Sequence, residues 1–423
     1  MKAALYTLGC KVNQYESQVL AETLAEHGYE IVDPARPADV YIVNSCTVTS
    51  ESDRKTRQIV RRLRRQNPQA VVLLTGCMPQ AYPEAAAALD DADIVVGNRD
   101  NASIPDALAR YFAAPERMLL TRQHRADDPF APCQAHRFDG RTRAEIKIED
   151  GCNRFCSYCA IPYARGRVRS KALGDIRTEA ETLGKAGYRE IVLVGINLSA
   201  YRDADADICD AVEAASQSSD VLRVRLGSLE PDHLTDDVLE RLSQSEKLCP
   251  QFHISLQSGC DATLRRMNRH YTAAEYAVLC EKLRALFPDC TLTTDIMVGF
   301  PGETADDHAQ SLRFAETIGF EKVHVFPYSP RSGTRAADMK DQIPKRVKEE
   351  RAAEMIAATD RLRKTFLHAQ IGKRVDVLIE DGCDGYTANY TPVHVEGACP
   401  PPGSFVRVQI TGTQDERCVG HVL

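Results

Sequence analysis

Three cysteines stand close together near the middle of the chain, in the stretch "EDGCNRFCSYCAIPYARG". Cys152, Cys156 and Cys159 follow a C-x3-C-x2-C spacing. A structural zinc site uses four ligands, and a disulfide uses two cysteines. Because the spacing satisfies neither requirement, it predicts a cofactor that takes three protein thiolates and leaves one position open.

A four-iron iron–sulfur cluster is such a cofactor, because three cysteinates bind three irons and leave the fourth with an open site. The motif follows the first strand of a predicted β/α barrel, and such barrels carry their chemistry on loops at the carboxyl ends of strands. One alternative is a zinc site completed by a distant ligand, which the tight spacing disfavours. The other is inert core cysteines, which the loop-like residues around Asn153 and Ser157 disfavour.

A second set of cysteines shares one position in the predicted topology. Cys10, Cys46 and Cys77 each directly end a predicted strand, in "ALYTLGC", "VYIVNSC" and "VVLLTGC". Neighbouring strands of a parallel sheet are about 4.8 Å apart, and doubly wound folds bind ligands at the carboxyl edge. We therefore expect the three thiols to converge on a second cluster, with a glycine before Cys10 and Cys77 for a tight turn. The alternative is three buried thiols acting as small hydrophobes.

The composition limits where these sites operate. The chain has 423 residues, a net charge of −7 and 15 cysteines. Its amino terminus does not resemble a secretory signal, and no apolar run approaches the ~18 residues of a membrane span. We therefore expect a cytoplasmic protein with no membrane partner, whose nine cysteines outside the two sets are packing or surface thiols.

The pattern of strands and helices predicts an α/β protein in four segments. Residues 1–115 alternate short strands with helices, as in a doubly wound parallel sheet. Residues 116–143 have no clean period and are interpreted as a linker. Residues 144–366 repeat a strand–helix unit six times and end in a charged helix, which predicts a partial (β/α)6 barrel open on one side. Residues 367–423 change to strand and turn chemistry, which predicts a small all-β barrel.

Several motifs give the chain a resemblance to a known family. "LGCKVNQYES", "VNSCTVT", "LTGCMPQ", "GCNRFCSYCAIPYARGRVRS", "HISLQSGCDATLRRMNR" and "TDIMVGFPGET" occur in the order found in the radical S-adenosylmethionine (SAM) methylthiotransferases. The carboxyl-terminal segment is similar to the TRAM RNA-binding domain. One departure is Lys171, where many relatives have arginine. The resemblance implies two [4Fe–4S] clusters, one binding SAM at its open iron and one carrying the sulfur to be donated.

The same resemblance implies a reaction and its partners. "GCKVNQYESQ" and "IPYARGRVRS" most resemble the branch that methylthiolates carbon 2 of N6-threonylcarbamoyladenosine beside the tRNA anticodon. The expected partners are the anticodon loop and a reductant such as flavodoxin or ferredoxin, with no DNA. Alternatives are the same chemistry on N6-isopentenyladenosine of tRNA or on an aspartate of a ribosomal protein. An iron–sulfur RNA-binding sensor without turnover belongs to another class, and it would need no open iron.

Polar residues and glycines at the ends of the barrel strands are candidates for holding SAM. Amides and carboxylates there can hold ribose hydroxyls and an amino group, and glycines can admit an adenine ring. A strand-end Asn or Gln is as often a loop brace, and "GFPG" is first of all a turn. The candidate residues are Gly195, Asn197, Ser228, Gln257, Asp295 and Gly299.

Basic residues cluster just after the Cys46 segment and predict an RNA-binding helix. Phosphate attraction of this kind is independent of sequence and sensitive to salt. The alternative is a solvated helix face. In the carboxyl-terminal barrel, Arg374, Tyr386 and Tyr390 are further candidates for RNA contacts. The seven residues of the helix are Arg54, Lys55, Arg57, Arg61, Arg62, Arg64 and Arg65.

Overall fold

A computed structural model of the chain describes residues 1–138 and 140–423. In chain order the strands are β1 (Lys2–Thr7), β2 (Glu30–Ile31), β3 (Val40–Ser45), β4 (Val71–Gly76), β5 (Ile94–Val96), β6 (Met118–Leu120), β7 (Arg143–Lys147), β8 (Glu149–Asp150), β9 (Arg169–Ser170), β10 (Glu190–Val194), β11 (Arg223–Leu226), β12 (Ser228–Leu229), β13 (Gln251–Ile254), β14 (Thr291–Val298), β15 (Lys322–Pro327), β16 (Arg374–Asp381), β17 (Asp384–Thr387), β18 (Pro392–Val395), β19 (Phe405–Gln414) and β20 (Arg417–Val422). The α-helices are α1 (Lys11–Glu26), α2 (Ser50–Gln66), α3 (Cys77–Ala81), α4 (Pro83–Ala87), α5 (Ile104–Ala113), α6 (Ile161–Arg165), α7 (Leu173–Lys185), α8 (Ile208–Ser216), α9 (Asp236–Ser243), α10 (Asp261–Arg266), α11 (Ala273–Leu286), α12 (Ala305–Ile318) and α13 (Lys345–His368).

The chain divides into two compact units, and each is made of separate stretches of sequence. The first unit contains residues 1–135, 149–170 and 329–337. The second contains residues 136–148, 171–328 and 338–423. The cysteine loop at 152–159 therefore belongs to the same unit as the amino-terminal sheet. The four segment boundaries expected from the sequence stay predictions.

The first unit is built on a six-stranded parallel sheet in the order β2-β1-β3-β4-β5-β6. The central strands are buried on both faces. Val40 and Ile42 pack with Leu24 of α1, whereas Tyr41 and Val43 pack on the opposite face with α2. Helices on both faces of a parallel sheet confirm the predicted doubly wound fold.

One strand of this sheet is not predicted from the sequence. Met118–Leu120 forms the edge strand β6, which pairs with Ile94–Val96, although the segment 116–143 is predicted to be a linker. Three apolar residues are too few to reveal a period, so only pairing with β5 identifies the strand. Residue 139 of the predicted linker lies outside the described residues.

The second unit contains the six predicted β/α repeats as parallel strands in two sheets. Their orders are β11-β10-β7 and β12-β13-β14-β15. The third strand is interrupted at Gly227, so it contributes β11 to one sheet and β12 to the other. Helix α11 begins at a capping box formed by Thr272 and Glu275 and buries the predicted face containing Tyr276 and Leu283. The six-repeat partial barrel is confirmed.

Residues 374–422 form a closed barrel in the order β16-β17-β18-β20-β19, as predicted. The expectation that Cys383 and Cys399 are packing or surface thiols is wrong, because the structure joins them in a disulfide with Cα atoms 4.7 Å apart. The turn before β17 and the loop after β18 bring the two residues together, because β17 and β18 pair antiparallel. Among the helices of the described residues, none has both the length and the apolarity that a bilayer span requires.

Candidate cluster-binding site

The three strand-end cysteines lie on adjacent strands of the first sheet. Cys10 links β1 to α1, Cys46 directly follows β3, and Cys77 begins α3 at the end of β4. Since β1, β3 and β4 are neighbours, the three residues come to one stretch of the carboxyl edge. Cys46 and Cys77 are buried, and Cys10 is exposed. The predicted convergence at one sheet edge is therefore present.

Asn13, in the first turn of α1, lies at the centre of this edge. Its Oδ1 is 3.8 Å from the sulfur of Cys10 and 3.9 Å from that of Cys77. Its Nδ2 donates hydrogen bonds to the carbonyls of Leu8, at 2.8 Å, and Ser45, at 2.9 Å. One buried amide thus fixes the ends of β1 and β3 while its oxygen faces two thiols. The sequence analysis does not single out Asn13, although it lies three residues after Cys10.

The glycines before Cys10 and Cys77 are required by this packing. Gly9 has φ +104°, and a Cβ there would lie 2.7 Å from the Cβ of Cys46. Gly76 has φ +97°, and a Cβ there would lie 2.4 Å from the carbonyl oxygen of Ser45. Both positions combine a left-handed backbone with no room for a side chain.

The cysteine loop is closed at its base by the two-stranded pairing of β8 with β9. The Cys152 amide donates to the carbonyl of Gly166 at 3.0 Å, and the Cys159 amide donates to that of Cys156 at 3.0 Å. All three cysteines are half-buried. Gly151 has φ +88°, and a Cβ there would lie 2.0 Å from the Arg167 carbonyl oxygen. The loop is therefore a compact structure that presents the three thiols from one short segment.

Arg165, at the end of α6, connects the cysteine loop to the sheet edge. Its side chain is 1% exposed. Nε donates to the sulfur of Cys77 at 3.3 Å, and Nη2 donates to Oδ1 of Asn13 at 2.5 Å. The guanidinium also pairs with both carboxylate oxygens of Glu16 and lies 3.6 Å from Asp150. One buried cation thus joins the segments that carry the two cysteine sets.

The pKa values of Cys77 and Arg165 depend on their burial and on the charges around them. Burial raises the pKa of the Cys77 thiol to about 12, and Arg165 opposes the rise. Burial alone would lower the pKa of Arg165, but Cys77, Glu16 and Asp150 hold it above its ordinary value. The cysteine is therefore a neutral thiol near neutral pH until a metal takes the place of its proton.

Residues 329–337 complete the first unit from far along the chain. Arg331 donates to Oγ1 of Thr47 and to Oδ2 of Asp53, both at 2.6 Å. The Ala336 amide donates to the carbonyl of Ser157 at 2.7 Å. This segment contacts the residues after Cys46 at one end and the cysteine loop at the other.

The donor chemistry of both sets fits iron–sulfur clusters. Each set offers three thiols, the ligand type that such clusters take. Within the part of the chain that the structure describes, no three His, Cys, Asp or Glu side chains form the site of a single metal ion. A four-iron cluster takes one thiolate per iron, so its ligands need not meet at one atom. Cys260, the other cysteine near a motif, is a buried packing residue whose thiol donates to Asp307 at 3.3 Å.

The predicted SAM residues are distributed along the barrel strands of the second unit. Gly195 and Asn197 follow β10, Ser228 begins β12, and Gln257 follows β13 with φ +67°. Asp295 lies within β14, and its carbonyl accepts a hydrogen bond from the Gln257 amide at 2.8 Å.

Gly299 differs from the other candidates because its environment is filled by protein. It has φ +68°, and a Cβ there would lie 2.4 Å from Cγ of Lys348 on α13. Its amide donates to Glu303 at 2.9 Å. These contacts explain the glycine as a turn residue, and we do not carry it into the proposed SAM site.

Two histidines on the barrel strands are not predicted as site residues from the sequence. Nε2 of His253 is 3.4 Å from the Asp295 carboxylate, and its Nδ1 lies 2.9 Å from the Thr293 hydroxyl. His324 pairs with Asp295 in strand register, and burial lowers the pKa of its imidazole. The signal available in the sequence is the alternation of polar residues in "FHIS", "TLTTDI" and "KVHVF".

Some basic side chains of α2 are held by contacts within the protein, and others line a groove beside the helix. Arg64 bonds to the carbonyls of Pro68 and Ala70 at 2.9 Å and pairs with Asp93. Arg62 lies over the Tyr6 ring, and Arg54 pairs with Glu51. A groove of about 740 Å³ beside the helix is lined by Lys55, Gln58, Ile59, Arg61, Arg62, Arg65 and Asp91.

Tyr386 and Tyr390 in the carboxyl-terminal barrel are already packed within the second unit. Their rings stack on each other with centroids 4.4 Å apart. The guanidiniums of Arg143 and Arg225 lie 4.9 and 4.8 Å from the Tyr390 centroid. Both rings are half-buried, and their expected contacts with RNA stay a prediction. Arg374 is exposed, and its Nε donates to Gln409 at 3.1 Å.

A doubly wound sheet, a three-cysteine loop and a partial β/α barrel in one chain are the features of a radical SAM protein. Residues 146–315 match the model of the Radical SAM superfamily, and residues 2–97 match that of Uncharacterized protein family UPF0004. The threonylcarbamoyladenosine tRNA methylthiotransferase MtaB of Bacillus subtilis is 37% identical over 96% of this chain and 93% of its own length. The MtaB protein of Chlamydia pneumoniae is 35% identical over 99% and 97%. The chain belongs to the radical SAM methylthiotransferase family.

The fold has a counterpart among solved structures. The radical SAM methyltransferase TsrM from Kitasatospora setae, solved with cobalamin and a [4Fe–4S] cluster, has a TM-score of 0.58. The match covers 84% of this chain and 90% of that one at 13% identity, which is a likeness of fold.

Proposed function

We propose that this chain is a tRNA methylthiotransferase that adds a methylthio group to carbon 2 of N6-threonylcarbamoyladenosine. Its cofactors are two [4Fe–4S] clusters and SAM. The observation that carries the proposal is the presence of two three-thiol sets in one compact unit, joined by Arg165. Three ligands for a four-iron cluster leave one iron for another molecule, which catalysis requires and a passive sensor does not.

Each cysteine set has its own task in this proposal. Cys152, Cys156 and Cys159 would hold the cluster that binds SAM, and Cys10, Cys46 and Cys77 would hold the cluster that carries sulfur. Together with SAM, the bound clusters supply hydrogen abstraction at an unactivated C–H bond, the sulfur and the methyl group. Arg165 and Asn13 orient the strand-end thiols and keep their segments together.

Strand-end residues of the barrel would hold SAM. Asn197, Gln257 and Asp295 offer amide and carboxylate groups for its amino and ribose hydroxyl groups, Ser228 offers a hydroxyl, and Gly195 leaves space beside the backbone. His253 orients the Asp295 carboxylate through the contact between their side chains.

The RNA would be attracted by the available cations of α2. Among the described residues, Lys55, Arg57, Arg61 and Arg65 neither pack on an aromatic ring nor bridge backbone carbonyls of the sheet loops. Of these, Arg61 lies 3.9 Å from the Asp91 carboxylate and is 62% exposed. We propose that they contact phosphates near the anticodon loop. The electrons would come from a small protein reductant such as flavodoxin or ferredoxin.

Nucleoside mass spectrometry tests the proposal. The chain is expressed in a host whose tRNA carries N6-threonylcarbamoyladenosine without its methylthio derivative, beside the Cys152→Ala variant as control. We expect the methylthio nucleoside with the wild type alone. Methylthiolation of isopentenyladenosine or of a ribosomal protein instead would reject the proposed substrate, and absence of 5′-deoxyadenosine after anaerobic reconstitution with SAM and dithionite would reject the enzyme.

A further inference from the structure

A cavity in the first unit adjoins both cysteine sets and has no role in the function proposed so far. Its volume is about 520 Å³, within the range of ligand pockets. Gln80 and Tyr82, shortly after Cys77, line one side, and Phe155 of the cysteine loop and Tyr163 of α6 line another. Ser332 and Gly333 contribute from the segment that completes the unit.

The cavity wall presents two exposed aromatic rings. Tyr163 is 56% exposed and Phe155 is 37% exposed. Their centroids are 6.3 Å apart, with an angle of 81° between the rings. Phe155 has φ +50°, a conformation that a non-glycine residue adopts only where the surrounding structure holds it. Large apolar rings held at a surface in this way are typical of binding sites.

The same wall carries positive charge. The guanidinium of Arg167 lies 4.8 Å from the centroid of the Phe155 ring. Arg125 also lines the cavity, and together with Arg99 and Arg122 it lines a second cavity of about 540 Å³. Within residues 1–138 and 140–423, the side chains of Arg125 and Arg167 form no ion pair with a carboxylate, whereas Arg99 and Arg122 pair with aspartates.

From this arrangement we propose that the cavity binds an unpaired nucleobase of the RNA substrate, stacked on Tyr163, with its phosphate beside Arg167 and Arg125. Aromatic rings with neighbouring arginines are how proteins hold single-stranded nucleic acid without reading its sequence. A paired base cannot enter, because its faces are covered by its neighbours. The inference rests on the proposed function, since it assumes an RNA substrate, and it adds a site for a nucleotide other than the one that reacts.

Binding of two RNA probes to the reconstituted full-length chain under anaerobic conditions tests the cavity. One probe is a fluorescent hairpin with an unpaired loop, and the other is a fully paired duplex of the same stem. We expect Tyr163→Ala to weaken hairpin binding roughly 5- to 150-fold, the range for loss of one stacked base. Duplex binding should not change, and Tyr163→Phe should bind like the wild type.

Two further variants separate stacking from charge. Phe112→Ala removes another exposed ring of the same unit, on α5, and we expect no change in hairpin binding. Arg167→Ala should lower the slope of log K against log salt by about 0.7 for the hairpin, because it removes one phosphate contact of the unpaired nucleotide, and should leave the slope for the duplex unchanged. Iron content after reconstitution, equal to the wild type, shows that each variant is folded.

The outcomes separate this proposal from the proposed function. If Tyr163→Ala binds the hairpin like the wild type while the wild type still methylthiolates tRNA, the base site is rejected and the function stands. If Tyr163→Ala instead slows only the reduction of the clusters by a protein donor, the cavity docks that donor and the base site is again rejected. If the wild type modifies no tRNA, the function itself is wrong.

Discussion

At the scale of single residues, Arg165 and Asn13 decide how the two cysteine sets are held. Arg165 is a buried cation with two carboxylates, an amide and a thiol around it. Asn13 faces two thiols with one oxygen. Neither role is visible in the sequence, because Asn13 lies 64 positions from Cys77, and Arg165 lies 88 positions from Cys77 and 152 from Asn13. The cysteines themselves were predictable, because thiols at strand ends and at a fixed spacing need no knowledge of the packing.

The two cysteine sets should fail in different ways. Cys152→Ala should abolish cleavage of SAM, because the open iron that binds SAM belongs to that set. Cys46→Ala should retain cleavage and lose methylthiolation. The measurements are 5′-deoxyadenosine and methylthio nucleoside by mass spectrometry, with Cys290→Ala as a thiol outside both sets. Equal SAM cleavage by the wild type and Cys152→Ala would contradict the assignment.

Replacement of Arg165 should destabilise the first unit even without clusters. Arg165→Met removes the buried cation that pairs with Glu16, whereas Asp150 also pairs with Arg169 at 3.2 Å. Breaking a buried pair such as Arg165–Glu16 costs about 3 kcal/mol or more. We expect a lower denaturant midpoint for the cluster-free chain. Arg167→Ala, an exposed arginine two residues away, should not change it. Adding Glu16→Gln to Arg165→Met should restore part of the loss, and unfolding of Arg165→Met at the wild-type midpoint would contradict this account.

At the scale of elements, turns between strand and helix position the sulfur atoms. The doubly wound sheet and the six barrel repeats were predictable, because buried strands in alternation with amphipathic helices leave a clear pattern. Strand β6 was not, because a three-residue strand is fixed by pairing and not by period. The pairing of Cys383 with Cys399 was also missed, since it depends on the antiparallel pairing of β17 with β18.

Gly76→Ala tests the turn that carries Cys77. The added methyl group would lie 2.4 Å from the Ser45 carbonyl oxygen, so β3 and β4 must separate at the sheet edge. After reconstitution we expect iron to fall from about eight to about four per chain. Gly28→Ala is the matched control, because Gly28 also has positive φ but nothing within 4 Å. Eight irons in Gly76→Ala would show that the turn does not position the cluster.

At the scale of the whole molecule, a net charge of −7 coexists with local positive charge on α2. Affinity for RNA therefore depends on where the cations lie and not on the total. Arg64, Arg62 and Arg54 look alike in sequence, but each contacts another group of the protein. Arg64 bonds to backbone carbonyls, Arg62 lies over the Tyr6 ring, and Arg54 pairs with Glu51. Only the structure distinguishes Arg64 and Arg54 from the basic residues of α2 that line the groove, and it shows that Arg62 both lines the groove and lies over the Tyr6 ring.

The salt dependence of tRNA binding tests whether the cations of α2 that we propose as phosphate contacts bind the RNA. Replacing Lys55 and Arg65 by alanine should reduce the slope of log K against log salt by about 1.4 to 1.8, because two phosphate contacts are lost. Lys345→Ala with Arg346→Ala removes the same charge from exposed positions of α13 and should leave the slope unchanged. An equal effect of both double variants would mean that only total charge matters.

The segment 329–337 has a consequence for how the protein is made. Arg331 and Ser329 bind residues that follow Cys46, so the first unit is complete only after most of the chain has left the ribosome. Domains that form during translation usually do so from the amino terminus onward. The contacts of Thr47 and Asp53 with Arg331 therefore form only after the barrel strands have been synthesised, long after the sheet that carries the strand-end thiols.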